Sequence, residues 1–377
     1  MLSLFNARTP RFVVLLIVVS LALIAKSYSQ TQKFVNDGYE VVKVADGVYS
    51  FVSSAPYRGT VQSNCTLVIG DESALLVDSG QFPSLAEKMA LDIRKLTTKP
   101  LRYLVNTSWH LDHAWGNATI KQAFPEASII STEFARDMIA REGAASNDVA
   151  LLRARAAEQR KAAASGKTSS GVELRDDQRA LLLEDAEALD HIVPEREHTR
   201  NLPPSETFDS RKVIDLGGRK VELLWLGRAS SAGDVIAWVP DVKVVAAGDV
   251  VVSPVPFAAD SYIAEWADVL DKIAALKPSA IVPGHGAIMH DDHQLKTAAA
   301  MFREVVAQVQ RDMASGLTAQ DARRKVNLDA FRRKFGDNPY ALRDFRAFLN
   351  AAVPRAYEQA QQAQSELQIA QAKTTKH

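Results

Sequence analysis

Two clusters of short apolar runs, each broken by turn residues, organise the middle of the chain. The first cluster covers residues 39–78, where runs such as Cys65 to Ile69 and Ala74 to Val77 are separated by Gly70 and Asp71. The second cluster covers residues 211–248 and repeats this arrangement. Short apolar runs rich in β-branched residues and bounded by turn residues predict β-strands joined by tight turns. The pattern therefore predicts two β-meanders.

Each cluster is followed by a segment with helical spacing of apolar residues and then by another strand-like run. After the first cluster come residues 84–96 and then the strand-like run 101–106. After the second come residues 261–276 and then a last buried strand at 280–282. Periodicity of this kind distinguishes helix from strand. The repeated order predicts two similar halves packed sheet on sheet, with helices outside, which is an α/β fold.

Two further regions have a helical composition. The segment at about 133–205 is an insertion between the halves, and its stretches 148–164 and 174–190 are rich in strong helix formers. We expect these stretches to form a helical hairpin. A C-terminal helical extension is predicted over 291–362, followed by a polar tail at 363–377.

The N-terminus carries the features of an export signal. Two basic residues, Arg8 and Arg11, precede fourteen mostly apolar residues that end at Ala25, and small residues follow. We therefore interpret residues 1–29 as a signal peptide and expect an exported, periplasmic protein. The apolar run is short for a bilayer span of about 20 residues. An uncleaved anchor is the alternative, and the membrane would then be contacted only through this segment.

Composition narrows the class of protein. The chain has 377 residues, of which 47% are hydrophobic and 24% are charged, and these values suit one large globular domain. The formal net charge is +0, so no excess of basic residues indicates a nucleic-acid partner. Cys65 is the single cysteine and cannot form an internal disulfide. Neither the composition nor the pattern predicts an oligomeric state.

Side chains that can bind a metal are concentrated in loops that follow predicted strands. The first loop, 106–113, carries His110, Asp112 and His113 within four positions. A histidine and a carboxylate side by side after a buried strand are hard to explain as core residues. Two more loops carry one candidate each, Asp249 after Gly248 and His285 between two glycines.

The order and placement of these loops resemble the metallo-β-lactamase superfamily over residues from about 39 to 290. That family has His-x-His-x-Asp-His in the first loop, a histidine in the second, Gly-Asp in the third and Gly-His-Gly in the fourth. The chain matches the last two motifs fully and the first at all positions but one, and Asp78 matches the family's aspartate before the first helix. The resemblance implies an αββα sandwich for residues 30–290, with the helical hairpin inserted and the C-terminal helices added.

Serine replaces histidine at two positions of that pattern, Ser108 and Ser230. By the resemblance, the first metal site of the family corresponds to Ser108, His110 and Ser230. The second metal site corresponds to a complete set, Asp112, His113, Asp249 and His285. A neutral hydroxyl is a poor metal ligand beside imidazole or carboxylate. The chain is therefore predicted to bind one ion, at the second site only.

Zinc is the expected ion, and iron or manganese are the alternatives for a site with two imidazoles and two carboxylates. The resemblance implies a hydrolase acting on a small molecule through an amide, lactone, ester or thioester bond, with β-lactams among the candidates. His110, freed from the first site, is the predicted general base, and Asp112 is expected to share that role. The alternative is a non-catalytic periplasmic binding protein that has kept the cleft. Trp109, Trp115 and the segment 254–257 are candidate cleft walls, although ordinary packing explains the tryptophans equally well.

Overall fold

The computed structural model describes residues 38–53, 62–145, 148–197, 200–335 and 339–374. The predicted signal peptide at 1–29 lies outside these ranges. No helix within them is both long and apolar enough to span a bilayer.

The first sheet contains seven strands that are adjacent in chain order. They are β1 (Glu40–Ala45), β2 (Val48–Val52), β3 (Cys65–Ile69), β4 (Ala74–Val77), β5 (Leu101–Val105), β6 (Ser128–Thr132) and β7 (Glu206–Phe208). Strands β1 to β4 pair antiparallel, as expected for a meander. Strands β4 to β7 are parallel, because helical segments connect them.

The second sheet contains five strands in the order β12, β11, β10, β9, β8. They are β8 (Arg211–Asp215), β9 (Lys220–Leu224), β10 (Ile236–Val239), β11 (Val244–Val252) and β12 (Ala280–His285). Only the pair β11 and β12 is parallel, since a helix connects these two strands. Both halves thus run from an antiparallel meander through a helix into parallel strands, in the repeated order of elements that the sequence pattern predicts.

Eleven helices connect or follow these strands in the described residues. They are α1 (Pro83–Leu96), α2 (Leu111–Ala114), α3 (Asn117–Ala123), α4 (Glu133–Ala145), α5 (Val149–Ser165), α6 (Asp176–Glu197), α7 (Ile263–Ala275), α8 (His293–Ala314), α9 (Ala319–Lys325), α10 (Asp329–Arg332) and α11 (Pro339–Thr374). Helix α11 runs to Thr374, so the polar stretch that begins at 363 continues the helix.

The two sheets face each other across a dry apolar layer. Residues such as Val68 and Val105 from the first sheet meet Val221 and Ala246 from the second, and all four are buried. Helix α1 packs on the outer face of the first sheet, and helices α7, α8 and α11 pack on the outer face of the second. The order of layers is helix, sheet, sheet, helix, which confirms the predicted αββα sandwich.

The insertion contains the predicted hairpin, preceded by one further helix, α4. The Asp148 side chain accepts a hydrogen bond from the Leu151 amide and so caps α5, while Gly166 ends this helix with a φ of 70°. Helices α5 and α6 pack against each other through Ala156, Ala186 and Leu189. Neither helix needs a wide apolar face for this contact, because alanine lets the two backbones approach closely.

A close contact between the two halves lies at Gly248. Its φ is 51°, a region that favours glycine, and a Cβ atom at this position would overlap the Thr107 side chain. Gly166 has a similar φ of 70°, but a Cβ there would meet nothing within 4 Å. The two glycines share one conformational requirement and differ in packing.

We expect Gly248→Ala to lower the free energy of unfolding by about 1 to 3 kcal/mol more than Gly166→Ala does. Both substitutions place a side chain at positive φ, so their difference isolates the overlap with Thr107. Urea titration followed by circular dichroism measures both values. Equal losses in the two variants would show that the contact between the halves is not tight.

Candidate metal centre

The candidate donors converge at one edge of the sandwich because of strand direction. Strands β4 and β5 are parallel, as are β11 and β12, so the carboxyl ends of each pair lie at the same edge of their sheet. Asp112 and His113 lie in the short helix α2 that follows β5. Asp249 lies within β11, and His285 is the last residue of β12. Each half of the fold therefore contributes two of the four predicted donors.

The distances between the donor atoms fit a common ion. His285 Nε2 lies 3.0 Å from Asp112 Oδ2 and 3.2 Å from Asp249 Oδ1. His113 Nε2 lies 3.6 Å from Asp112 Oδ2 and 3.1 Å from Asp249 Oδ1. Ligand bonds of about 2.1 Å in a tetrahedron place neighbouring donor atoms about 3.4 Å apart. These four separations are close to that value, and the donor atoms of Asp112, His113 and His285 all lie within 4.8 Å of one another. Asp249 Oδ1 joins this group through its contacts with the two imidazoles.

Among the described residues, two donor atoms of this cluster have no hydrogen-bond partner. His113 Nε2 and Asp249 Oδ1 are both enclosed, and although they are 3.1 Å apart they are not aligned to bond to each other. Buried polar atoms without partners are uncommon and are costly in free energy. In a metal site, the ligand atoms point toward the ion and not toward one another. The donor set therefore fits a divalent ion.

Both imidazoles are oriented by bonds to their other nitrogen. His113 Nδ1 donates to Asp78 Oδ2 at 2.8 Å, and His285 Nδ1 donates to the backbone carbonyl of Gln62 at 3.2 Å. These bonds place the proton on Nδ1 and leave Nε2 to face the cluster. Asn64 stabilises the loop around His285, because its side chain donates hydrogen bonds to the carbonyls of Pro283 at 2.9 Å and Gly286 at 2.8 Å.

Asp78, which binds His113, has an unusual backbone conformation. Its φ of 62° is in the left-handed region, which a residue other than glycine adopts at a cost. Its buried carboxylate accepts bonds from the Thr107 amide at 2.8 Å and from the Thr107 hydroxyl at 2.7 Å, in addition to the His113 bond. Three hydrogen bonds to one carboxylate offset the cost of the backbone conformation and fix its position.

His110 lies beside the four donors and is bound to one of them. Its Nδ1 is 2.6 Å from Asp249 Oδ2, while its Nε2 is enclosed without a hydrogen-bond partner and lies 4.0 Å from Asp260 Oδ2. The aromatic rings of Trp109 and Phe257 flank the imidazole, at centroid distances of 4.8 Å and 6.5 Å. His110 thus presents a free nitrogen next to the candidate ion site.

The two serines are buried close to this region. Ser108 is fully enclosed, and its hydroxyl accepts a hydrogen bond from the His110 amide at 3.2 Å. Ser230 is 2% exposed and belongs to a loop that joins the first loop through the bond from the Val235 amide to the Thr107 carbonyl, 2.8 Å. The structure thus places His110 against Asp249, a residue of the predicted second site.

Comparison with known proteins identifies the family. The model of the metallo-beta-lactamase superfamily matches residues 58–285, which is more than half of the chain. The chain belongs to the metallo-beta-lactamase superfamily.

Individual members of the superfamily are only distantly similar. A linear primary-alkylsulfatase of Pseudomonas sp. (strain ATCC 19151) is 24% identical over 311 residues, which cover 78% of this chain and 54% of that protein. A metallo-beta-lactamase type 2 of Bacteroides fragilis is 23% identical over 279 residues, covering 72% and 88%. The chain thus spans about half the length of the alkylsulfatase.

A solved structure supports the fold. The metallo-beta-lactamase from Pontibacter korlensis superposes with a TM-score of 0.50 at 19% identity, and the match covers 70% of this chain and 99% of that one.

Acidic and imidazole groups of the cluster shift each other's pKa values. Burial alone would lower the pKa of His285, but its contacts with Asp112 and Asp249 outweigh burial and raise the pKa to about 9. Burial likewise opposes the shift at His113, where the charges of Asp249, Asp78 and Asp112 raise the pKa well above its usual value.

The carboxylates show the complementary shifts. Burial would raise the pKa of Asp249, but the charge of His113 and the close contacts with His110 and His285 hold it well below its usual value. Burial would also raise the pKa of Asp112, but His113 and His285 lower it. A metal ion must therefore displace protons from the imidazoles.

Some residues that support the site carry no motif in the sequence. Gln62 acts through its backbone carbonyl, and Asn64 acts across more than two hundred positions of sequence. Asp260 lies in the loop after β11, and no feature of the sequence pairs it with His110. The only signal for the first two is the polar run 62–64 directly before a buried strand.

We expect Asp78→Asn to weaken zinc binding by about 10- to 100-fold, because the charge that orients His113 is lost while asparagine still tolerates the positive φ. Competition with a chromophoric chelator measures the affinity. Asp46→Asn is the matched control, since the Asp46 side chain is 89% exposed. Unchanged affinity in a folded Asp78→Asn protein would rule out a supporting role for this carboxylate.

Proposed function

We propose that the protein is a metal-dependent hydrolase that works with one ion, held by Asp112, His113, Asp249 and His285. The observation that carries the proposal is the pair of enclosed, unpartnered donor atoms, His113 Nε2 and Asp249 Oδ1, within a cluster whose spacings suit a tetrahedral ion. Zinc is the proposed ion, since two imidazoles and two carboxylates are common ligands for it. Two carboxylates also balance a divalent charge.

When bound, such an ion polarises a substrate carbonyl and lowers the pKa of a coordinated water. The side chains supply the other steps. His110 Nδ1 donates a hydrogen bond to Asp249 Oδ2. Burial would lower the pKa of His110, but this bond and the charge of Asp249 raise it. When the imidazole is neutral, its Nε2 atom is the one that would accept a proton from water. Asp249 thereby positions the proposed base as well as contributing to the ion site. Asp112 is the second carboxylate next to the reaction centre.

The substrate class we propose is a small molecule with a hydrolysable acyl bond, as in an amide, lactone, ester or thioester. β-Lactams are included, because one similar protein is named a metallo-beta-lactamase type 2. Alkyl sulfates extend the set, because another is named a linear primary-alkylsulfatase. Trp109 and the exposed Phe257 beside His110 give the rim an apolar wall. We propose that this wall contacts an apolar part of the substrate.

We also propose that the protein acts in the periplasm after export through residues 1–29. Basic residues followed by a short apolar run support this proposal.

Elemental analysis tests the ion count. We expect about one equivalent of divalent metal in the purified protein and a loss of it in Asp112→Ala and His285→Ala, because each removes a donor. His290→Ala is the matched control, as His290 is exposed and lies outside the cluster. No metal above background in the wild-type protein would overturn the proposal, and two equivalents would show that the first site still binds an ion.

We expect His110→Ala to lower kcat by about 10²- to 10⁴-fold while the bound metal is retained, because general-base catalysis contributes effects of that size. Steady-state kinetics on a panel of β-lactams, lactones, thioesters, carboxylic esters and alkyl sulfates provides the measurement. Metal content measured on the same samples separates loss of the base from loss of the ion. Full activity in the variant would exclude His110 as the base.

The binding-protein alternative predicts a different outcome on the same panel. Ser108→His combined with Ser230→His restores the histidines that the family pattern places in the first site. Activity that appears only in this double variant would show that the natural chain has lost turnover, and the hydrolase proposal would be rejected.

A further inference from the structure

Arg196 is a buried arginine near the end of α6, on the helical insertion. It is 6% exposed, and its guanidinium carbon lies 3.4 Å from the centre of the Trp115 ring. Trp115 is itself fully buried and follows His113 by two positions. The insertion therefore places a cation against the loop that supplies two of the metal donors.

Within the described residues no acceptor or carboxylate pairs with Arg196. Its Nη1 atom is completely enclosed without a hydrogen bond. The two neighbouring acids are directed elsewhere, since Glu195 binds the Ser84 amide at 3.0 Å and the Ser84 hydroxyl at 2.5 Å, and Glu197 pairs with Arg153. A buried charge without a partner is strongly unfavourable. Burial lowers the pKa of Arg196 to about 9, so the side chain is still charged at neutral pH.

The stacking on Trp115 leaves the hydrogen-bonding capacity of the guanidinium unused. Stacking covers a face of the planar group, whereas all of its N–H donors point outward within the plane. Those donors match a carboxylate or a sulfate, which accept two parallel hydrogen bonds. The stacking on Trp115 places the guanidinium against the segment that carries Asp112 and His113. The charges of Glu195 and, to a smaller extent, Asp112 oppose the effect of burial on the pKa of Arg196.

We propose that Arg196 binds an oxyanion group of the substrate, a carboxylate or a sulfate, beside the metal centre. The helical insertion would then determine substrate charge, while the sandwich supplies the metal donors. Only the assignment of the anion to a substrate rests on the proposed function, because binding of a free oxyanion can be measured without turnover.

Calorimetric titration with sodium sulfate, at constant ionic strength maintained with chloride, tests the proposal. We expect saturable binding to the wild-type protein and about tenfold or greater weakening in Arg196→Gln, because a charge-assisted hydrogen-bond pair is lost. Arg196→Lys should be intermediate, since it keeps the charge and loses the paired geometry. Arg200→Gln is the matched control, an exposed arginine four positions further along the chain, and should bind like the wild type.

Several outcomes separate this proposal from the proposed function. Titration of metal-stripped protein shows whether sulfate binds the ion instead, and binding that requires the metal but not Arg196 would overturn the proposal. Equal binding by Arg196→Gln and Arg200→Gln would also overturn it. Metal analysis of the same samples reports separately on the ion site. Should Arg196→Gln fail to fold, selenate soaked into wild-type crystals keeps the test decisive, since an anion within hydrogen-bond distance of Arg196 supports the site and its absence there refutes it.

Discussion

The neutralisation of two buried carboxylates is the constraint on which the candidate site depends. Asp112 and Asp249 come from opposite halves of the sandwich, and each lies within hydrogen-bond distance of the imidazole of His285. Like charges this close repel each other unless cations or protons lie between them. The imidazoles of His113 and His285 lie against both carboxylates, where positive charge is favoured, and a divalent ion at the same point would supply such charge.

The fold follows from local sequence because each half uses patterns that a short segment can display. Alternation and turn residues identify the meanders, and helical spacing identifies α1 and α7. Candidate donors are recognisable for the same reason, since Asp112, His113, Asp249 and His285 all come at or directly after a strand. Residues whose role depends on contacts with distant parts of the chain show no such pattern in the sequence. Arg196 looks like any charged residue of a polar helix until tertiary packing encloses it.

The structure shows contacts of Ser108 that the sequence alone does not indicate. A histidine at position 108 would bring a second ring into a fully enclosed site, whereas the serine hydroxyl accepts a bond from the backbone of His110. His110 in turn bonds to Asp249, a donor of the second site. The one histidine left in the predicted first site is thus bound to a residue of the proposed second site.

Asn64 has a consequence for the order of events during synthesis. Its side chain binds carbonyls on the loop around His285, and the contact with Gly286 joins positions 222 residues apart. A ribosome releases the chain from the N-terminus, so the first sheet can assemble long before this partner loop emerges. Until then, Asp112 and His113 lack the two donors from the second half of the chain, Asp249 and His285. The four proposed donors can therefore come together only after the chain up to at least His285 is available for folding.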